Sequence, residues 1–403
     1  GLTDDDAGQL LRAGSFGGVD DAVLGRIVAE AQGNPRAILE AVDGVTPSDF
    51  AGGYGIAGLA RPIPGGLTER VQGLCPDERR VLLLAAADPT GDPALQWQAA
   101  TVLGIDRRVV RTLEDKGWLR LGARVLFVDP AHRPALYRLA SSEERDAVHR
   151  ALAAATDPIA APDRRTWHLA CATAGPDDDL AAELERYAVD AQSRCGRTGK
   201  AAFLERSALL TLDPRLRSVR ALAAAAAMFD VGSTATSVRL LAIAALGRLD
   251  GRGRRSLGRQ QARVAVVSKR NGQAAEQMLR AAEELHQADD PLAGEGFLEA
   301  LVAAIYAGRL GPGVAVFANK VPTDWTTDGI AQRLLVGLAA RFSEGFTAAH
   351  RILMPSLRAA VRVDSEDNGR RWLWLAAWIA ADLWDDDLWA ELTSKALVSR
   401  VVD

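Results

Sequence analysis

The residues able to do chemistry are few and scattered. Five histidines, His132, His149, His168, His286 and His350, have no metal-ligand spacing, and no HExxH pair occurs. Cys75, Cys171 and Cys195 lie far apart with no CxxC pair, so neither a zinc site nor a thioredoxin-type site is expected. No GxSxG string exists to place a nucleophilic serine. The nearest approach to a phosphate loop is Gly196-Arg-Thr-Gly-Lys200. There Arg194 stands where the first glycine of GxxxxGK[ST] belongs, and Ala201 follows the lysine. Without the paired glycines and the hydroxyl that holds Mg²⁺, the string reads as a turn between helices. No convergent acid–base pair is present, so the chain is not expected to be an enzyme by itself.

Two groups could bind rather than react. Arg107, Arg108 and Arg111 could face a DNA major groove if they sit on the third helix of a winged helix. Asp106, Glu114 and Asp115 offset them, which favours a solvated or salt-bridged face. Trp372, Trp374, Trp378, Trp384 and Trp389 fall within 18 residues. Trp374 and Trp378 are i, i+4 and are expected in the core. Trp372, on another face beside Arg370 and Arg371, is the expected exposed member of a ligand or partner site. A cation beside an aromatic suits an anionic or flat ligand.

The elements that must position these residues are helical. The chain has 403 residues, 48% hydrophobic and 25% charged, with net charge −4. Those values fit a globular protein of two to four domains at about 100–200 residues each. The acidic balance argues against a whole-chain nucleic-acid binder. Three cysteines suit a reducing cytoplasm, and the longest apolar stretch, Trp372 to Ala381, is too short to span a bilayer. No signal peptide is visible, and the start at Gly1 suggests a piece of something longer.

Residues 1–45 predict short helices, the last opening at Asn34-Pro35, an N-cap followed by proline at the first helical position. The Gly/Pro-rich residues 46–66 read as a linker. Residues 67–160 predict three helices and then a hairpin, Trp118-Leu-Arg-Leu and Arg124-Val-Leu-Phe-Val128 around Gly122, the winged-helix order. Residues 161–403 read as helical throughout. Breaks near Gly232, Gly272, Gly311, Gly345 and Asp386 are 34–41 residues apart, the period of an α-solenoid of tetratricopeptide-like helix pairs. The fold class is therefore mostly α with one small hairpin, and a sensory surface is expected on the concave face of the repeats.

Several strings together resemble a known family: Gly33-Asn-Pro-Arg-Ala-Ile-Leu-Glu40, Leu83-Leu-Ala-Ala-Ala-Asp-Pro-Thr-Gly-Asp92, Asp163-Arg-Arg-Thr-Trp-His-Leu-Ala170, Gly175-Pro-Asp177, Ala304-Ile-Tyr-Ala-Gly-Arg-Leu310 and Leu383-Trp-Asp-Asp-Asp-Leu-Trp389. The chain resembles the large LuxR-type transcriptional regulators of actinobacteria, grouped with the maltose-regulator-like signal-transduction ATPases (STAND). The resemblance implies a nucleotide-binding ATPase module, a winged helix, a helical-repeat sensor and a C-terminal DNA-binding helix-turn-helix. The phosphate loop would precede Gly1 and the helix-turn-helix would follow Asp403. It implies ATP or ADP for the whole protein, none held by this chain alone, and an inducer or protein partner on the repeats. DNA would be met only through the missing domain, and no membrane is implied. Gly33, Asn34 and Pro35 match the family's GxP motif near the adenine. Phe127-Val-Asp-Pro130 matches an aromatic-x-His-Pro string, with Asp129 in place of a histidine near the phosphates, where a carboxylate would repel them. Two other readings are a repeat scaffold with a structural winged helix, and direct DNA binding through residues 93–128.

Overall fold

The computed structural model describes residues 1–14, 20–42, 51–56, 59, 61–269, 272–308, 313–322, 329–362 and 370–402. The described chain is helical except for one hairpin, and it divides into two compact units, residues 1–248 and 249–402. The division falls inside the stretch read from the sequence as one repeat domain.

The first unit opens with α1 (Asp4–Gly14), α2 (Asp21–Ala31) and α3 (Pro35–Val42). Asp20 caps α2 by accepting the Ala22 N–H at 2.8 Å. Gln32 and Gly33, at φ 52° and 68°, turn the chain left-handed and end it. Apolar residues at helical spacing, Val23, Ile27 and Ala31, meet Ala7, Leu11 and Ile38 in a small core. Then come α4 (Leu67–Gln72), α5 (Pro76–Ala87), α6 (Pro93–Val102), α7 (Arg108–Asp115), β1 (Leu119–Leu121), β2 (Val125–Phe127), α8 (His132–Leu139) and α9 (Ser142–Ala155). The strands are antiparallel, with Leu119 opposite Phe127 and Leu121 opposite Val125. Leu119 and Phe127 point into a core with Leu82, Leu84, Leu113 and Leu152. This is the helix–helix–helix–hairpin order read from the sequence.

The unit ends with α10 (Pro162–Cys171), α11 (Asp178–Leu210), α12 (Pro214–Asp230) and α13 (Thr234–Leu246). α11 is two helices run together across Cys195 and Gly196, the latter at φ 63°. The string read as a turn between helices therefore begins at this kink, and its residues 197–200 are already helical. Residues 46–66 are not wholly a free linker: Ala51–Gly53 form one 3₁₀ turn, and Tyr54 is buried against Trp167 and Phe203.

The second unit contains α14 (Gly251–Lys269), α15 (Gly272–Gln287), α16 (Ala293–Ala307), α17 (Val314–Ala318), α18 (Ile330–Ser343), α19 (Phe346–Val361), α20 (Leu373–Asp382) and α21 (Asp386–Val402). Neighbours pack in pairs, α15 on α16, α18 on α19 and α20 on α21. Of the breaks read from the sequence, Gly232 and Gly345 lie in turns within pairs at φ 80° and 101°, Gly272 opens α15 and Asp386 opens α21. Gly311 lies outside the described residues. Among the described residues no helix is long and apolar enough to cross a membrane.

Candidate functional site

The first unit holds a buried, charged junction. α2 lies against the hairpin and against the turn Asp88-Pro89-Thr90-Gly91-Asp92 that joins α5 to α6. Glu30 accepts from Arg26 one turn earlier, from Arg133 of α8 at 3.1 Å and from the Phe127 backbone N–H at 3.3 Å. Arg26 also donates to the Pro89 carbonyl at 2.6 Å. Arg133 donates to the carbonyls of Ala85 and Asp88. Arg124, from the hairpin, reaches across α2 to the Ala22 and Thr90 carbonyls at 2.9 and 3.0 Å. Glycine at position 25 permits that crossing, because a Cβ there would stand 2.8 Å from the Arg124 guanidinium. Asp88 is fully buried and holds the turn by accepting from Thr90, Asp92 and Gln96.

Cations outnumber their carboxylates here. Burial, with the neighbouring Arg133, pushes the Arg26 guanidinium down to about 10. Burial raises Glu30, but Arg26 and Arg133 outweigh it and hold the carboxyl below its ordinary value. A second seam ties the same N-terminal segment to α10 and α11. Arg164 donates to Asp20 at 3.0 Å, and Asp163 accepts from Tyr54 and Arg194.

The residues expected near a nucleotide have local jobs. Asn34 caps α3, accepting the Arg36 N–H at 3.0 Å, and Pro35 is the exposed first residue of that helix. The Gly33 carbonyl accepts from Leu2 at 2.8 Å, and its φ of 68° suits glycine. Asp129 is half-exposed. It accepts the Ala131 N–H at 2.9 Å and stands 3.5 Å from Nε2 of His132, so it orders the entry to α8. Further into this unit, Tyr137 and His149 Nε2 are 2.8 Å apart and the Nδ1 atoms of His149 and His168 are 3.1 Å apart. Only one of those two Nδ1 atoms can carry the proton of their hydrogen bond. Burial pushes His149 down to about 4 and His168 well below its ordinary value.

In the second unit the expected tryptophan arrangement is reversed. Trp372 is 4% exposed and belongs to the core. Trp374 and Trp378 are 38% and 41% exposed. Between Trp372 and Ala381, Trp374, Trp378 and Ala381 are the exposed positions, so α20 shows an i, i+4, i+7 apolar stripe to solvent. The cause is a clamp one turn earlier. Arg371 donates to Glu295 at 3.2 Å and Glu299 at 2.7 Å, both already held by Arg259. That clamp draws Arg371 inward with Trp372, and its guanidinium lies 4.9 Å over the Trp372 ring. Arg371 is thus committed internally and not available as an anion-binding group. The Arg370 side chain lies outside the described residues.

Trp374 stacks on Tyr306 at the end of α16, centroids 6.4 Å apart and planes 26° apart. Trp384 is 87% exposed at φ 60°. Its N–H bonds the Ala381 carbonyl and that of Asp385 bonds Ala380, the helix ending usually given to glycine. Holding a large side chain there costs about 1 kcal/mol.

Reading the sequence missed Arg26, Glu30 and Arg133 altogether. The available signal was Gly25 inside a helix, which marks a close approach. It also missed the outward stripe. α20 is apolar nearly all round, so its sequence carries no phase.

No family model matches this chain, and no curated protein matches it. Among solved structures, a signal transduction ATPase with numerous domains (STAND) protein with a tetratricopeptide repeat sensor, from Pyrococcus horikoshii, is similar at 11% identity and TM-score 0.31. The match covers 99% of this chain, which spans 63% of that protein's length.

Proposed function

We propose that this chain is the sensing and relaying part of a cytoplasmic, ATP-dependent LuxR-type transcription regulator of the signal-transduction ATPase kind, with no chemistry of its own. On this reading residues 1–45 end an ATPase module, 67–160 are a winged helix, and 161–403 carry repeats that receive an inducer or partner. ATP or ADP and DNA are held by modules outside the chain, the nucleotide near Gly33, Asn34, Pro35 and Asp129.

The observation that supports this is the seat of α2. It is buried, yet made of guanidiniums sharing one bridging carboxylate, Glu30. A relay needs two arrangements close in energy, one favoured by each ligand state. A cation-rich seat satisfied largely by backbone carbonyls meets that need better than an apolar one. The test uses the longer regulator with its ATPase module. Glu30→Gln weakens the bridge while keeping its shape, so ATP-dependent oligomerisation without inducer is expected to rise severalfold. Arg26→Met relieves like-charge crowding and is expected to lower it. If neither variant changes oligomerisation, the relay reading fails. Steady phosphate release by the present chain, lost on a point substitution within it, would contradict the absence of chemistry.

Direct duplex binding by α7 is less well supported. Arg107, Arg108 and Arg111 are exposed, but Lys116 is bound to Glu78 and Arg124 to two carbonyls. Too little free positive charge remains beside Asp106, Glu114 and Asp115 for a phosphate-tracking surface.

A further inference from the structure

We infer that the α20–α21 hairpin is the docking surface for a basic amphipathic segment of a partner protein, whose Arg or Lys side chains stack on its exposed tryptophans. The inference rests on reading the repeats as the receiving part, and it names the chemistry of what they receive.

Three independent features meet on this hairpin. α20 is buried on every side except a stripe of Trp374, Trp378 and Ala381, where a solvated helix would carry Lys or Glu. Trp374 is already stacked with Tyr306, which is itself largely exposed, so the stripe continues onto α16. In the turn that follows, an exposed indole is held in left-handed backbone at Trp384, where glycine would be easier. A residue kept against its backbone preference points to a use for its side chain.

The occupant follows from charge. Among the described residues, Asp386, Asp387 and Glu391 are exposed and have no ion-pair partner. Three described cations of the same unit are committed elsewhere. Arg371 holds Glu295 and Glu299, Arg341 holds Asp382 at 3.1 Å, and Lys395 donates to the Val361 carbonyl. Aromatic faces and bare carboxylates both attract cations. An apolar stripe bordered by carboxylates therefore fits a helix with apolar residues on one face and Arg or Lys at its edges. The anionic or flat ligand expected from Arg370, Arg371 and Trp372 does not fit this surface, because Arg371 is committed to Glu295 and Glu299 and Trp372 is buried.

The test is direct binding to the full chain, so it can fail while the relay reading stands. The probe is a designed helical peptide of Arg and Leu, with its Glu/Leu counterpart, followed by tryptophan fluorescence and calorimetry. The Arg/Leu peptide is expected to bind, more weakly as salt rises, and the Glu/Leu peptide not to bind. Trp378→Leu keeps an apolar stripe but removes the ring, and is expected to weaken binding about tenfold. Asp386→Asn with Asp387→Asn is expected to reduce the salt dependence. Each of these side chains is exposed, so folding is expected to persist, and thermal unfolding of each variant checks it. Four results would overturn the inference: equal binding of both peptides, no binding of either, preference for phosphatidylcholine vesicles over the Arg/Leu peptide, or a concentration-dependent dimer abolished by Trp374→Ala.

Discussion

Each unit buries an arginine–glutamate network, and the two networks are balanced differently. At the α2 seat, Glu30 alone bridges Arg26 and Arg133, and Arg26 is pushed down to about 10. In the second unit, Glu295 and Glu299 receive Arg259 and Arg371, and Arg263 stands 3.3 Å from Glu299. There burial lowers Arg259, but Glu299 and Glu295 outweigh it and the guanidinium is held above its ordinary value. The first network tolerates its charges and the second is stabilised by them. On the relay reading the first seat is the one that opens, whereas the second fixes what is attached to it. What the clamp fixes is the phase of α20: Arg371 and Trp372 inward, Trp374 and Trp378 outward.

The largest expected effect comes from removing a bridging carboxylate. Glu30→Ala leaves two buried guanidiniums uncompensated and is expected to destabilise the first unit by about 3–5 kcal/mol. Hydrogen exchange should show the loss over residues 67–152 and leave 272–392 unchanged. Equal loss in both segments would mean that the two networks are not independent. Trp372→Ala should cost a comparable amount, about 3–5 kcal/mol, because it opens a cavity in the core. Trp374→Ala is expected to cost about 1 kcal/mol or less, since much of that ring is in water. Chemical unfolding of the two variants compares them directly, and equal costs would refute the assigned phase.

Acid should act on the first unit. His149 is held neutral by burial, at about 4 against 6.5 for the free side chain. Because the folded pKa is lowered, the unfolded chain takes up the proton first as pH falls. Stability is therefore whole above pH 6.5 and is lost between about 6.5 and 4, by about 3 kcal/mol. Melting temperature against pH should show this slope in the wild type and a flatter one in His149→Gln. An unchanged slope would place the titration elsewhere. A smaller effect still is expected from Arg371→Met. Glu295 and Glu299 keep Arg259, so the loss should be about 1 kcal/mol, seen in unfolding together with a shift in tryptophan emission.

Local signals in the sequence were sufficient for the elements. Asn34-Pro35 starts α3, the hairpin lies around Gly122 as read, and Gly232 and Gly345 mark turns within helix pairs. The sites were not legible for two physical reasons. Glu30 and Arg133 are 103 residues apart, and nothing local to either reports the other. Trp374 and Trp378 sit on a helix whose every face is apolar, and Trp372 immediately precedes it, so spacing alone could not say which ring meets water. Their phase is set by Glu295 and Glu299, on a different helix.

Hydrogen exchange of Asp21–Ala31, compared with Pro76–Ala87 and Ala293–Ala307, tests most directly whether the α2 seat can open by itself. Amides of α2 are expected to exchange through a local opening, faster than those of α5, and slowing when Arg26→Met relieves the crowding. Amides of α16, which carries Glu295 and Glu299, are expected to exchange only with unfolding of their unit. If α2 and α5 exchange together, at one rate and with one denaturant dependence, α2 is not separable and the relay has no moving part.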